Sequence, residues 1–355
     1  MHLAVAAVAH AVRFRVVAHL DDVAFQRVEV EHQARRLDIR LVHARQGDDD
    51  IDALAIGNRQ GARLNFPMSL PALRYVMNLR HWSSLFACVL VFGLAGTGAA
   101  AEAPLRVMTF NVRVPVDTGM NAWENRRDLM VEVIKAEHPD LLGTQELTEE
   151  QGEYLAAHLP GYAWFGQGRE GGTKGEHMGV FYRTDRLKVE RSGDFWLSDT
   201  PDVPGSKTWG QPYPRMVTWA RFGLRDGGGS FDYLNTHFPY RAEDVRARML
   251  SADEILRWIG KLPSGDKVIL AGDFNCAPDT PVHAKLTQDL QDAWITASSR
   301  SGPARTFHNF TGNPDQRIDW ILSRGFRPIA VHTITTHEGA RYPSDHFPVV
   351  AEFGR

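Results

Sequence analysis

The chain has 355 residues, with 40 Lys plus Arg against 43 Asp plus Glu and a formal net charge of −3. Hydrophobic residues at 43% and charged residues at 23% are ordinary for a globular protein, which excludes disorder and collagen-like repeats. The slight acidic excess excludes a strongly basic nucleic-acid coat, and two cysteines, Cys88 and Cys276, exclude a disulfide framework or an all-cysteine zinc site.

Residues 1–76 contain no Trp and no Lys and show no clear caps or periodic faces. After Met77 come Asn78, Leu79, Arg80 and His81, then an apolar run from Leu85 to Leu94, then AGTGAAA. A basic segment, an apolar stretch of about ten residues and a small-residue cleavage site make the pattern of a secretory signal peptide, here 77–101. The run is short for a membrane span, which needs about 20 residues. A buried core helix is the alternative. Because a signal works at an N-terminus, Met77 is read as the true start and 1–76 as a mis-called upstream extension with no domain of its own. The rival is a small genuine domain followed by a membrane anchor. A secreted or periplasmic protein is expected. Residues 102–355 then form one mature domain with 29 basic and 34 acidic residues, a net charge of −5 and Cys276 alone, so no internal disulfide can form.

Within 102–355, Leu105–Val114 reads as a strand from its β-branched and alternating residues. Trp123–Glu137 has helical spacing, with Leu129, Val133 and Ile134 on one face. Strands are expected at Asp140–Gln145, Gly179–Arg183, Met216–Phe222, Phe231–Thr236 and Lys267–Ala271, with a helix over Arg241–Ile259 between the last two. Arg317–Leu322 and Val349–Phe353 complete the set. Many strands with few helices predict two packed sheets covered by helices, an α/β sandwich.

A polar group recurs at or near the end of these strands: Asn111, Glu146, His237, Asp273 with Asn275, Asp319, and Asp345 with His346. Any one of them alone reads as a turn residue bonding its own backbone. Six such sites of matching chemistry in one domain point instead to a site held on a rigid scaffold. Glu146, Asp345 and the Asn111 amide are hard oxygen ligands suited to Mg²⁺ or Mn²⁺. Two histidines and several aspartates supply proton transfer and orientation. Phosphodiester hydrolysis needs an activated water, a cation on the phosphoryl oxygens and help for the leaving oxygen.

TFN (109–111), TQE (144–146), NTH (235–237), GDFN (272–275), IDW (318–320) and SDH (344–346) occur in the order and approximate spacing of the endonuclease/exonuclease/phosphatase superfamily. The chain resembles this deoxyribonuclease I-like family from about Leu105 to Phe353. The pattern around FWLS (195–198) and PGSK (204–207) is similar to its secreted bacterial members. The resemblance implies a four-layer α/β/β/α sandwich and metal-dependent phosphoester hydrolysis. It implies Glu146 as main metal ligand, with Asn111 and Asp345 close by, and Asp273 orienting or deprotonating water. Asn275 would bond the phosphoryl group, His346 would stabilise the transition state, and Asp319 would hold that ring in one tautomer. His237 resembles a second histidine, and Glu176 is inferred to pair with it; a surface acid is the alternative. Arg215 stands where a phosphate-contacting arginine is found, or makes an ordinary surface salt bridge.

Gly166–His177, with Arg169 and Lys174, could close over a phosphate or be a solvated loop. Trp196–Tyr213 could stack on bases or sugars or anchor a minor core. The first function expected is a nuclease or other phosphodiesterase. The alternative is hydrolysis of a small or lipid phosphoester, such as an inositol phosphate, a sugar phosphodiester or a sphingomyelin-like headgroup. An inactive binding module of the same fold is the third, and the intact polar set speaks against it. The expected partner is a phosphoester, nucleic acid among the candidates, with no stable membrane span after signal removal and a monomeric state.

Overall fold

The computed structural model describes residues 103–354, together with the backbone of the strands between Leu3 and Phe66. Two compact units divide at Ala100. The first carries β1 (Leu3–Val5), β2 (Val8–Ala9), β3 (Val12–Ala18), β4 (Phe25–His32), β5 (Arg35–Val42), β6 (Ala53–Asn58) and β7 (Arg63–Phe66). They form an antiparallel sheet in the order β1-β3-β4-β5-β6-β7, with β2 on β3. No strand is expected here from the sequence, yet the alternation in RVEVE (27–31) is the period-two pattern of β4. The expected signal peptide, 77–101, lies outside the described residues.

The second unit holds two sheets. One contains β8 (Leu105–Asn111), β9 (Leu141–Gln145), β10 (Tyr162–Phe165), β11 (Val180–Arg183), β17 (Ser299–Ser301), β19 (Arg327–Thr333) and β20 (Val349–Gly354), in the order β10-β11-β9-β8-β20-β19-β17. The other contains β12 (Leu187–Trp196), β13 (Met216–Leu224), β14 (Ser230–His237), β15 (Lys267–Asp273), β16 (Gln291–Asp292) and β18 (Asp319–Arg324), in the order β12-β13-β14-β15-β18-β16. The sheets are mixed: β8/β9, β14/β15 and β17/β19 are parallel pairs.

Leu105, Val107, Val349 and Phe353 of the first sheet share one buried cluster with Phe222, Phe231, Tyr233 and Ile269 of the second. The outer face of the first sheet packs Met108, Phe110 and Leu142 against Met130, Val133 and Ile134 of α1 (Trp123–Glu137) and Leu155 of α2 (Glu149–His158). The second packs Leu234, Val268 and Leu270 against Ala252, Ile255 and Ile259 of α3 (Val245–Ile259) and Val282 and Leu286 of α4 (Pro281–Leu286). A short α5 (Ala293–Thr296) follows β16. The result is the expected α/β/β/α sandwich. Each fully buried Leu or Phe contributes about 1.5–3 kcal/mol to it.

Polar contacts tie the sheets in register. Asn235 Nδ2 donates to the Thr144 carbonyl at 2.8 Å, and Gln145 Nε2 donates to Asn235 Oδ1 at 2.7 Å. Gly143 allows this approach: a Cβ there would sit 2.1 Å from the Tyr233 hydroxyl. No helix among the described residues is long and apolar enough to cross a membrane.

Candidate active site

Topology alone brings the polar strand ends together. Asn111 ends β8, and Glu146 follows β9, its parallel neighbour. His237 and Asp273 end the parallel pair β14 and β15 in direct register, and Asp319 opens β18 opposite Asp273. Asp345 and His346 precede β20, which pairs with β8. Gly272, at φ +156°, has room for no side chain, since a Cβ would meet the Thr236 carbonyl at 2.1 Å. Glu146, Asn275 and Arg113 adopt left-handed φ of 59°, 49° and 58°. Such conformations cost energy in residues other than glycine and cluster at functional sites. The Thr148–Gln151 capping box starts α2 just beyond Glu146 and pins that turn.

On the floor of the cleft, Glu146 Oε2 accepts from the Val114 N–H at 3.0 Å. Arg113 Nη1 lies 4.0 Å from Glu146 and 3.7 Å from Asp345, so both carboxylates converge on one positive charge that neither hydrogen-bonds. Burial works to raise the Glu146 pKa, but the Val114 N–H, the His346 charge and the Asn111 amide outweigh it and hold the group below its ordinary value. Asp345 is pushed up by burial and by the charge of Glu146. Crowded, under-compensated oxygen donors of this kind suit a hard divalent cation.

Asn111, expected close to the metal, lies between the two carboxylates. Its Nδ2 donates to Glu146 Oε1 at 3.2 Å and Asp273 Oδ2 at 3.0 Å, while its oxygen accepts from the Arg113 N–H at 3.0 Å. It ties the two carboxylates together.

His346, buried, bonds Asp319 Oδ2 through Nδ1 at 2.9 Å, as expected. Burial alone would lower the ring's pKa, yet the Asp319 carboxylate, with Asp273 and Asp345, pushes it up to about 10. Its Nε2 lies on the Asp273 side, 3.9 Å from Oδ2. Asp273 is raised by burial and by the charge of Asp319, which makes it a better proton acceptor than an ordinary carboxylate. Asn275 donates its backbone N–H to Asp273 Oδ1 at 2.9 Å and its Nδ2 to the Phe238 carbonyl at 3.1 Å. His237 Nε2 stands 3.4 Å from Asp273 Oδ2, and burial together with Arg215 and Arg169 keeps the ring neutral. Asp273, Asp319 and His346 bring ligand atoms within 4.8 Å of one another, a group that could hold a metal ion. His346 Nδ1 in that group is already engaged by Asp319.

The expected Glu176–His237 pair does not form. Glu176 Oε2 accepts from Arg169 Nη1 at 2.7 Å and lies 3.9 Å from Arg215 Nη1, while His237 Nδ1 is buried without a hydrogen-bond partner. Two guanidiniums nearby compete for that carboxylate better than a neutral imidazole does. Arg215 is not in a surface salt bridge either: it is 4% exposed and lines the cleft. Arg169 is also buried, and Trp196 Nε1 fastens it by donating to its carbonyl at 2.6 Å, so this residue is an anchored wall, while Glu170 and Gly172–Gly175 of the same segment are exposed. Floor and wall enclose one open cleft of about 550 Å³.

Sequence reasoning passes over Arg126. Its buried guanidinium donates to the carbonyls of Val112 at 2.6 Å, Pro343 at 3.0 Å, Arg113 at 2.5 Å and Asn121 at 3.1 Å, clamping the two loops that follow Asn111 and precede Asp345. Nothing in ENRRD (124–128) marks it out. Tyr240, beside the wall, is missed likewise.

Residues 108–346 match the endonuclease/exonuclease/phosphatase family. An uncharacterized protein of Acanthamoeba polyphaga mimivirus is 31% identical over 182 residues, covering 48% of this chain and 67% of that protein. A mannosyl-6-phosphatase structure from Bacteroides thetaiotaomicron is 33% identical with a TM-score of 0.65, covering 70% of this chain and 99% of that one. An endonuclease/exonuclease/phosphatase structure from Bacteroides vulgatus is 32% identical with a TM-score of 0.67, covering 71% and 99%.

Proposed function

The chain belongs to the endonuclease/exonuclease/phosphatase family and is a phosphoric ester hydrolase, and on that premise we propose that it is an exported, divalent-metal-dependent enzyme acting on a small phosphoester such as a phosphorylated sugar or a sugar phosphodiester. The observation that carries this reading is the union, in one cleft of about 550 Å³, of a carboxylate floor with a wall of two buried arginines. That volume falls in the small-molecule range of about 300–1,000 Å³. Likeness to the mannosyl-6-phosphatase supports it over nearly the whole of that chain. Nuclease action, expected first from the sequence, falls behind because a nucleic-acid site draws its affinity from extended basic surface, whereas residues 102–355 carry a net charge of −5. The basic and apolar pattern of 77–101 supports export, with 1–76 outside the mature protein.

Glu146 and Asp345 would hold Mg²⁺ or Mn²⁺, which supplies charge neutralisation on the phosphoryl oxygens when bound. Asp273 orients the attacking water and accepts its proton. The protonated His346 donates from Nε2 to a phosphoryl oxygen, and Asp319 fixes the ring for that task. Asn275 adds an amide donor. Asn111 keeps Glu146 and Asp273 in place. As the water oxygen bonds to phosphorus the ester P–O bond breaks, the leaving oxygen takes up a proton from solvent, and the products are an alcohol and a phosphate.

The test is hydrolysis by the full-length protein of mannose 6-phosphate, a sugar phosphodiester, plasmid DNA, RNA and a phospholipid panel, each with Mg²⁺ and with EDTA. Turnover of a small phosphoester that EDTA abolishes is expected. Faster cleavage of nucleic acid or lipid than of every small substrate would overturn the reading.

A further inference from the structure

Two guanidiniums on the cleft wall share a single carboxylate, Glu176, which is hydrogen-bonded to Arg169 only. Arg215 is buried with Nη1 lacking any hydrogen-bond partner, and the buried Nε of Arg169 lacks one too. These atoms are closed off from solvent, so the wall holds positive charge that the protein leaves uncompensated and that an anion in the cleft would offset. The arginines are also held in place. The Arg169 guanidinium lies 4.6 Å from the Tyr213 ring and that of Arg215 lies 5.9 Å from the Tyr240 ring. The two tyrosines stack on each other with centroids 6.4 Å apart and stand half-exposed at the rim. Burial lowers the Arg215 pKa and Arg169 adds repulsion, with Glu176 only partly offsetting them, so an anion that enters adds the missing negative charge.

We propose that Arg169 and Arg215, clamped by Tyr213 and Tyr240, form an anion subsite that takes the outer oxygens of a dianionic phosphomonoester and thereby selects monoesters over diesters. The proposal rests on the small-phosphoester reading and deepens it. A phosphomonoester carries a second negative charge and one more terminal oxygen than a diester. Floor and wall belong to the same cleft, so a phosphoryl group on the floor turns its remaining oxygens toward the arginines. A diester would present a neutral alkoxy group to the same guanidiniums, leaving their N–H groups unpaired and adding bulk beside them. Two forked guanidiniums are suited to this task in a way that two ammonium groups are not.

The experiment compares p-nitrophenyl phosphate with methyl p-nitrophenyl phosphate, which share a leaving group, using the full-length protein and Mg²⁺. Wild type is expected to prefer the monoester in kcat/KM. Arg215→Met is expected to lower monoester kcat/KM by roughly 10- to 100-fold, shrinking the monoester-to-diester ratio. Competitive inhibition by inorganic phosphate should weaken in parallel, which a merely structural role would not produce selectively. Should Arg215→Met fail to fold by thermal melting, Arg169→Lys is measured for the same ratio and the same inhibition. A wild-type preference for the diester, or a ratio unmoved in a folded variant, overturns the selector while leaving the small-phosphoester reading intact. If wild type hydrolyses neither ester, both fall together.

Discussion

On the floor of the cleft and just behind it, four carboxylates (Glu146, Asp273, Asp345 and, behind His346, Asp319) share the Arg113 guanidinium and one imidazole of raised pKa; on the wall, two guanidiniums share one carboxylate. The floor residues come from the ends and flanks of strands in both sheets, where register places them with little freedom. The wall residues come from connecting segments fastened by Trp196 and two tyrosines. The difference separates two jobs. On the proposed reading, a floor rich in carboxylates calls for a cation and would perform the same chemistry on any phosphoester. A wall short of negative charge calls for an anion and would decide which phosphoester is held. Chemistry would then sit on the rigid frame and selectivity on the loops it carries.

The comparison breaks most visibly through the floor. His346→Ala or Asp273→Ala should reduce turnover of every phosphoester by about 10²–10⁴-fold while the melting temperature holds. Full turnover in either variant would remove those residues from the chemistry. Asp319→Asn keeps the side-chain shape but removes the charge that raises His346, and about a 10- to 100-fold loss is expected. The monoester-to-diester ratio should stay at its wild-type value, and a changed ratio would blur the division between floor and wall.

Arg126→Met tests what holds the floor in place. Several loop carbonyls would lose their donor, so urea unfolding should show about 2–4 kcal/mol lost. A variant as stable as wild type would show that the loops hold themselves. The smallest effect concerns Asp292, which supports Arg317 and His283 behind β18. Burial would raise its pKa, but hydrogen bonds from His283 and Arg317 outweigh that and keep it below the ordinary 3.8. A group depressed in the folded state stabilises above its unfolded pKa and loses that contribution as pH falls through the folded value. Asp292→Asn should therefore flatten the stability slope below about pH 4; an unchanged slope in acid melts would assign it to other carboxylates.

Most of the floor was legible because its residues sit where apolar runs stop. Glu146, His237, Asp273, Asp345 and His346 each follow or precede a strand that the sequence announces, and Asn111 and Asp319 lie within one. Their convergence follows from sheet order. The contacts of Asn111 and Glu176 were not legible, since an amide's orientation and a carboxylate's partner depend on neighbours distant in sequence, Asp273 and Arg215 among them. Five strands of the second unit escaped, β10, β12, β16, β17 and β19, two of them for plain physical reasons. β12 has a charged, exposed stretch at Lys188, Glu190 and Arg191, and β19 carries Pro328 at its second position beside a register shift. Arg126 escaped because burial of one arginine among several leaves no trace in periodicity.

The central claim is that the floor, through Glu146 and Asp345, holds the divalent ion that phosphoester hydrolysis needs. Calorimetric titration of the full-length protein with Mn²⁺ tests it most directly, on wild type, Glu146→Gln and Asp319→Asn. The account predicts binding weakened by about tenfold or more in Glu146→Gln and nearly preserved in Asp319→Asn. Binding that survives Glu146→Gln and disappears in Asp319→Asn would place the ion on Asp273, Asp319 and His346 instead, and would contradict it.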